Sequence, residues 1–232
     1  MSTLTNTSTH SHAPTTPATK RSRWPLFGAA AGLLGIVGTL ITDVRPDGKS
    51  ADAMISPADM DNLSRGTYHV GIIAGYLCVA ALLVMAAAWR RHVEQRFTDS
   101  TAARVVANGL IASAGALSLG YGWKGAMAVY LPGGMDHGAY PTDGLYVLYM
   151  LNDFGAYIGW LGTMVAAGAI AYMAFREKTV SRWIGVVSCL LLLPVIVFVV
   201  ATGLPGFPGV VGGLWLLVMS LGLTFGKSAV AR

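Results

Sequence analysis

The chain has 232 residues, of which 54% are hydrophobic and 12% charged. An ordinary soluble domain carries about 25% charge, so a fully hydrated surface is excluded and a lipid-facing one is favoured. The formal charge of +5 does not point to nucleic acid, because the basic residues fall between apolar runs and not along one face.

Residues 1–22 open with a stretch rich in Ser, Thr, Pro and His and are predicted to form a disordered cytoplasmic tail. The stretch lacks the basic start of a signal peptide, and the apolar run after Arg23 is as long as a membrane span. That run is therefore read as a retained signal anchor.

A bilayer core of about 30 Å needs roughly 20 apolar residues in helix. Six segments qualify: Trp24–Ile41, Thr67–Trp89, Ala103–Tyr130, Gly144–Phe175, Trp183–Leu204 and Gly209–Phe225. The expected fold is an all-α polytopic transmembrane bundle of six helices over residues 23–226, with 227–232 as a short cytoplasmic tail. The third and fourth segments exceed the bilayer, so they tilt or project beyond it.

Basic residues orient the bundle. With the N-terminus inside, the cytoplasmic segments hold Lys20, Arg21, Arg23, Arg90, Arg91, Arg96, Arg104, Arg176, Lys178, Arg182, Lys227 and Arg232, twelve of the sixteen. The opposite side holds Arg45, Lys49 and Arg65, with Lys124 inside a helix. The asymmetry predicts both termini in the cytoplasm. The composition, rich in Ala, Gly and Val, and the short loops fit a bacterial inner membrane.

Arg23, Arg104 and Arg182 each open an outward-going helix that runs into a Pro/Gly turn. This suggests three hairpins side by side, although basic residues at inner boundaries explain the same recurrence. Gly28, Gly32, Gly35 and Gly38 form a stripe on the first helix, and Gly71/Gly75 and Gly155/Gly159 repeat the spacing. In lipid, small residues mark faces where backbones approach closely. Pro194 is expected to bend the fifth helix.

The residues that could carry chemistry gather near the outer ends of the second, third and fourth helices: Tyr68, His69, Tyr121, Trp123, Lys124, Asn152 and Asp153. In an antiparallel hairpin, Lys124 and Asp153 share a depth because their midpoint, near residue 138, falls in the connecting loop. Ionisable residues in membrane helices usually face a cavity or a partner. The functional reading is a water-accessible pocket with a charge pair. The competing readings are a structural salt bridge, and snorkelling of Lys124 to the headgroups.

Tyr121, Tyr130, Tyr140, Tyr146, Tyr149 and Tyr157 concentrate at the same end. An interfacial aromatic belt explains them, and an aromatic vestibule for a small amphipathic molecule is the sharper alternative. His69 could shuttle a proton, but histidines at helix starts are more often interfacial. The five histidines show no ligand spacing, and Cys78 and Cys189 lie singly in apolar runs. No metal or other cofactor is expected. Asp59 and Asp61 read as neighbours in a solvated loop.

No P-loop, HExxH or GxSxG motif is present, so an enzyme is disfavoured. The expected function is small-molecule transport or ligand binding through an outward-facing vestibule. The alternatives are an accessory subunit docking on another membrane protein through its glycine stripes, and an intramembrane enzyme using His69 or Asp153. The bilayer is the one partner expected under every reading, and nucleic acid under none.

Overall fold

The computed structural model describes residues 23–50 and 52–231, all helical or irregular, with no strand among them. The expected disordered tail lies outside these residues. Seven α-helices follow in order: α1 (Leu26–Ile36), α2 (Arg65–Trp89), α3 (Thr101–Tyr130), α4 (Thr142–Ile158), α5 (Leu161–Tyr172), α6 (Arg182–Thr202) and α7 (Phe207–Phe225). α1, α2 and α5 each run on into a wider turn with i→i+5 bonding, at Val37–Ile41, Arg90–Glu94 and Met173–Glu177.

Local chemistry sets the helix boundaries. Ser64 and Ser100 sit just before α2 and α3, and their hydroxyls accept from the backbone N–H of Thr67 and Ala103. Pro208 stands in the first turn of α7, where a missing N–H costs nothing. Gly203, at φ 70°, closes α6 in the left-handed conformation that a side chain would disfavour.

Five helical stretches are long and apolar enough to cross a membrane: Arg65–Glu94, Thr101–Tyr130, Thr142–Glu177, Arg182–Thr202 and Phe207–Phe225. The first apolar helix, Leu26–Ile41, is shorter. The fourth expected segment is not one straight helix. It breaks at Gly159–Trp160, where Trp160 N–H bonds the Tyr157 carbonyl in a tighter i→i+3 turn before α5 begins. α6 runs through Pro194 as one helix.

The packing order closes into a ring. α1 lies between α2 and α7, α2 packs on α3, α3 packs on both α4 and α5, and α6 bridges α5 and α7. Glycine makes the closest approaches. A Cβ on Gly32 would fall 2.6 Å from the Gly213 carbonyl oxygen and 2.7 Å from the Leu217 nitrogen, both backbone atoms of α7. The α1 stripe is therefore used up inside the molecule. Gly28 faces Ser220, Gly35 faces the Trp160 indole, and Gly38 faces Tyr121 and Gly75. Gly155, on α4, backs onto Gly120 and Trp123 of α3. These stripes offer no surface to another protein.

Three fully buried tryptophans pin the interior, and each indole N–H has a partner. Trp89 donates to the Ala103 carbonyl (2.9 Å), Trp160 to Thr39 Oγ1 (3.1 Å) and Trp215 to Ser188 Oγ (2.9 Å). α6 is peripheral and presents Leu190, Leu193, Ile196, Val197 and Val200 outward, as expected of a helix that meets lipid.

Candidate functional site: a polar cluster at the acidic end of the bundle

The connections after α1, α3 and α6 lie at one end of the ring and hold Asp43, Asp47, Asp52, Asp59, Asp61 and Asp136, with Asp143 opening α4. This end is called acidic below. The opposite end holds Arg90, Arg91, Arg96, Arg176 and Lys178.

Lys124 is 1% exposed, and its ammonium donates to the Thr42 carbonyl and to Thr42 Oγ1, both at 3.0 Å. Thr42 Oγ1 in turn donates to the Gly38 carbonyl (2.9 Å), and Thr42 N–H bonds the Val37 carbonyl (3.1 Å). The first helix thus ends in a widened turn whose terminal carbonyl is met by a cation from α3. A helix C-terminus carries orphan carbonyls and partial negative charge, so a lysine there is satisfied on both counts. Gly71 of α2 makes room, because a Cβ there would lie 2.7 Å from Thr42 Oγ1 and 3.0 Å from Lys124 Cδ. Arg65 does the same for α3, its Nε donating to the Ala128 carbonyl at 3.0 Å.

The contact of Gly120 with Gly155 puts α3 and α4 in the register that equal depth about residue 138 requires. Lys124 and Asp153 therefore share an end of the bundle, but among the described residues no ion pair joins them. Asp153 lies on the exposed face of α4, and its neighbour Asn152 turns inward, 4% exposed.

The other expected site residues separate into three groups. Tyr68 is fully buried in a cluster with Tyr149, Met127 and Leu145. Tyr121 lies deeper, over Gly75, where its hydroxyl meets Thr39 Oγ1 at 2.8 Å. Together with Trp160, which also bonds Thr39, it forms a closed polar knot at the centre of the ring. His69 is exposed at the start of α2, on the other side from buried Tyr68, and Trp123 is half-buried against Gly155. His69 thus faces away from the interior, whereas Tyr121 is buried one helical turn from Lys124.

Four side chains have a buried polar atom with no hydrogen-bond partner among the described residues, Tyr68, Glu94, Asn152 and Ser220, and two of them, Tyr68 through its hydroxyl and Asn152 through Oδ1, lie at the acidic end. Around them stands an open rim. The Tyr157 hydroxyl donates to Asp43 Oδ2 at 2.6 Å. The charge of Asp43 reaches Tyr68, Lys124, Asp153 and Tyr157, and that of Arg45 reaches Tyr149 and Asp153. Tyr130 and Tyr140 stack edge to face nearby, 4.7 Å between centroids.

Thr39, Thr42, Asp43 and Trp160 were not singled out as site residues from the sequence. The available signal was slight: two threonines one turn apart at the end of an apolar run, followed by an acid. Trp160 carries no signal beyond lying next to Gly159.

In the loop after α1, Asp59 accepts from the Ser56 N–H and the Ser56 hydroxyl, both at 2.8 Å, and pairs with Lys49 at 3.1 Å. The amide, the hydroxyl and the ammonium, in that order, hold its carboxyl below the ordinary carboxylate range. Asp59 is therefore the third-residue partner of Ser56 in the capping box of the short helix Pro57–Asn62, whereas Asp61 is exposed.

Two further features lie elsewhere. A wholly apolar groove of about 380 Å³ runs between α5 and α6, past Leu161, Gly168 and Val200. At the basic end, the Ser100 hydroxyl meets both Glu177 carboxylate oxygens at 2.8 Å. Among the described residues, no three of His, Cys, Asp and Glu converge as a metal ion would need. No protein family, curated protein or solved structure matches the chain.

Proposed function

We propose that this chain crosses a bacterial inner membrane six times with both termini in the cytoplasm, and that its outward-facing acidic end binds a small amphipathic molecule for recognition or transport. The carrying observation is the polar set at that end. Exposed Asp43, Arg45 and Asp153 and half-buried Tyr157 surround a floor of buried Tyr68, Asn152 and Lys124. Aromatic faces beside a few convergent polar groups are the usual make-up of a small-molecule site. The basic residues at the other end, Arg90, Arg91, Arg96, Arg176 and Lys178 among them, support the orientation. Leu26–Ile41 supplies the sixth crossing, since it packs between α2 and α7, which are both long enough to span.

The test is native mass spectrometry of the full chain extracted gently from its own membrane, beside Asp43→Asn and Asp153→Asn. The expected result is a discrete small molecule on the wild-type chain and its loss from both variants. A wild-type chain that carries no small molecule, or variants that retain it, would overturn the reading.

A further inference from the structure

We infer that the floor of this site holds a hydroxyl group, from water or from a hydroxylated solute, bound between the Tyr68 hydroxyl and the Asn152 amide beside Lys124. The inference rests on the outward site proposed above and specifies the chemistry it accepts.

Two of the four unpartnered buried polar atoms lie at this end of the bundle. Tyr68 is 0% exposed and Asn152 4% exposed, and the Tyr68 hydroxyl and Asn152 Oδ1 have no partner among the described residues. Buried polar atoms in folded proteins almost always have a partner, in protein or in solvent. Tyr68 packs in one cluster with Tyr149 and feels the charge of Asp153. Tyr149 lies one helical turn before Asn152 on the same face of α4, and Asp153 is its next neighbour. One turn further along α2 from Tyr68, Gly71 lies against the Lys124 side chain.

The donor inventory selects the guest. An amide oxygen accepts, a phenol both donates and accepts, and an ammonium has three N–H donors. Thr42 takes two bonds from Lys124, which leaves one N–H. A hydroxyl answers this set, because its oxygen accepts from Tyr68 or Lys124 and its hydrogen goes to Asn152. A charged guest is disfavoured because Asp43 already acts on Lys124 and a further charge would need its own counter-ion in a region of low dielectric.

The sign of one isosteric substitution tests this. If the Tyr68 hydroxyl were truly unpartnered, Tyr68→Phe would remove a buried orphan and raise the apparent melting temperature. If it holds a guest hydroxyl, the same change leaves that guest short of a bond and lowers it. For a chain of this size the expected fall is about 2–4 °C per lost bond.

The experiment measures apparent melting temperature in detergent for the full-length wild type, Tyr68→Phe, Asn152→Leu and the double variant, with and without glycerol as probe. The expected result is a fall in each single variant and a double-variant fall smaller than their sum. A glycerol-dependent rise larger in wild type than in Tyr68→Phe identifies a hydroxylated solute. Equal rises with the deficit unchanged identify water. A melting temperature of Tyr68→Phe equal to or above wild type overturns the inference. That failure is distinguishable from failure of the outward site, which is read from ligand retention in Asp43→Asn and Asp153→Asn.

Discussion

Lys124 occupies a position where an ionised side chain costs about 2.5–3.5 kcal/mol at the bilayer centre, and less toward the ends. Two bonds to Thr42 and the negative end of the first helix offset that cost. Lys124→Met should lower stability by roughly 1–3 kcal/mol, because the Thr42 carbonyl is left buried and unmet. Thr42→Val keeps that carbonyl bond and should cost less, about 0.5–1.5 kcal/mol. Denaturant titration of both variants in micelles checks the order, and equal losses would show that the hydroxyl carries the contact. Asp59 makes a pH-dependent prediction. Its folded carboxyl is held below the ordinary range, so the loop cap is complete above the unfolded value and is lost as pH falls through the lowered folded one. Hydrogen exchange at the Ser56 amide, corrected for the intrinsic pH dependence, should therefore accelerate only across that acid window. Asp59→Ala, which removes the acceptor, should show fast exchange at every pH.

At the scale of elements, glycine positions divide by what stands opposite them. Gly32 faces backbone atoms of α7 that cannot yield, whereas Gly115 of α3 has nothing within 4 Å of a Cβ. Gly32→Ala should thus separate α1 from α7 and destabilise the bundle by about 1–3 kcal/mol, as overpacking does. Gly115→Ala should be neutral or gain up to about 1 kcal/mol from helix propensity. Thermal denaturation of the pair distinguishes a packing stripe from mere composition. The break between α4 and α5 belongs here as well. Gly159 and Trp160 let the chain turn so that the indole reaches Thr39 across the ring. The apolar run from Gly144 to Phe175 contains no proline, so its pattern predicts one long helix. What breaks it is the reward of burying Trp160 against Gly35 and Gly212, a contact made with elements more than fifty residues away.

For the whole molecule, closure of α1 onto α7 makes the first helix a structural member of the ring although it is shorter than the other apolar helices. The proposed topology places the loop at Ser50 outside and that at Lys178 inside. In a Cys189→Ala background, a membrane-impermeant thiol reagent added to intact cells should label Ser50→Cys and not Lys178→Cys. The reverse pattern would invert the bundle and put the acidic end in the cytoplasm. Cys78 is buried, donates to the Ala31 carbonyl and should stay unlabelled in both.

By itself the sequence determined the all-helical class, most helix limits to within a few residues, and the glycine-lined faces that lie buried between helices. Each follows from something carried along the chain: apolar run length, capping serines, Pro/Gly turns and the three- or four-residue spacing of glycines. Only the tertiary structure decided which helices the stripes meet and which side of α4 turns inward. It also decided that Lys124 finds Thr42 and not Asp153. Depth along a helix is set by counting residues, but azimuth is set by packing partners. A one-residue step rotates a side chain by about 100°. That step separates buried Asn152 from exposed Asp153, and buried Tyr68 from exposed His69, and no local pattern in so uniformly apolar a chain specifies it.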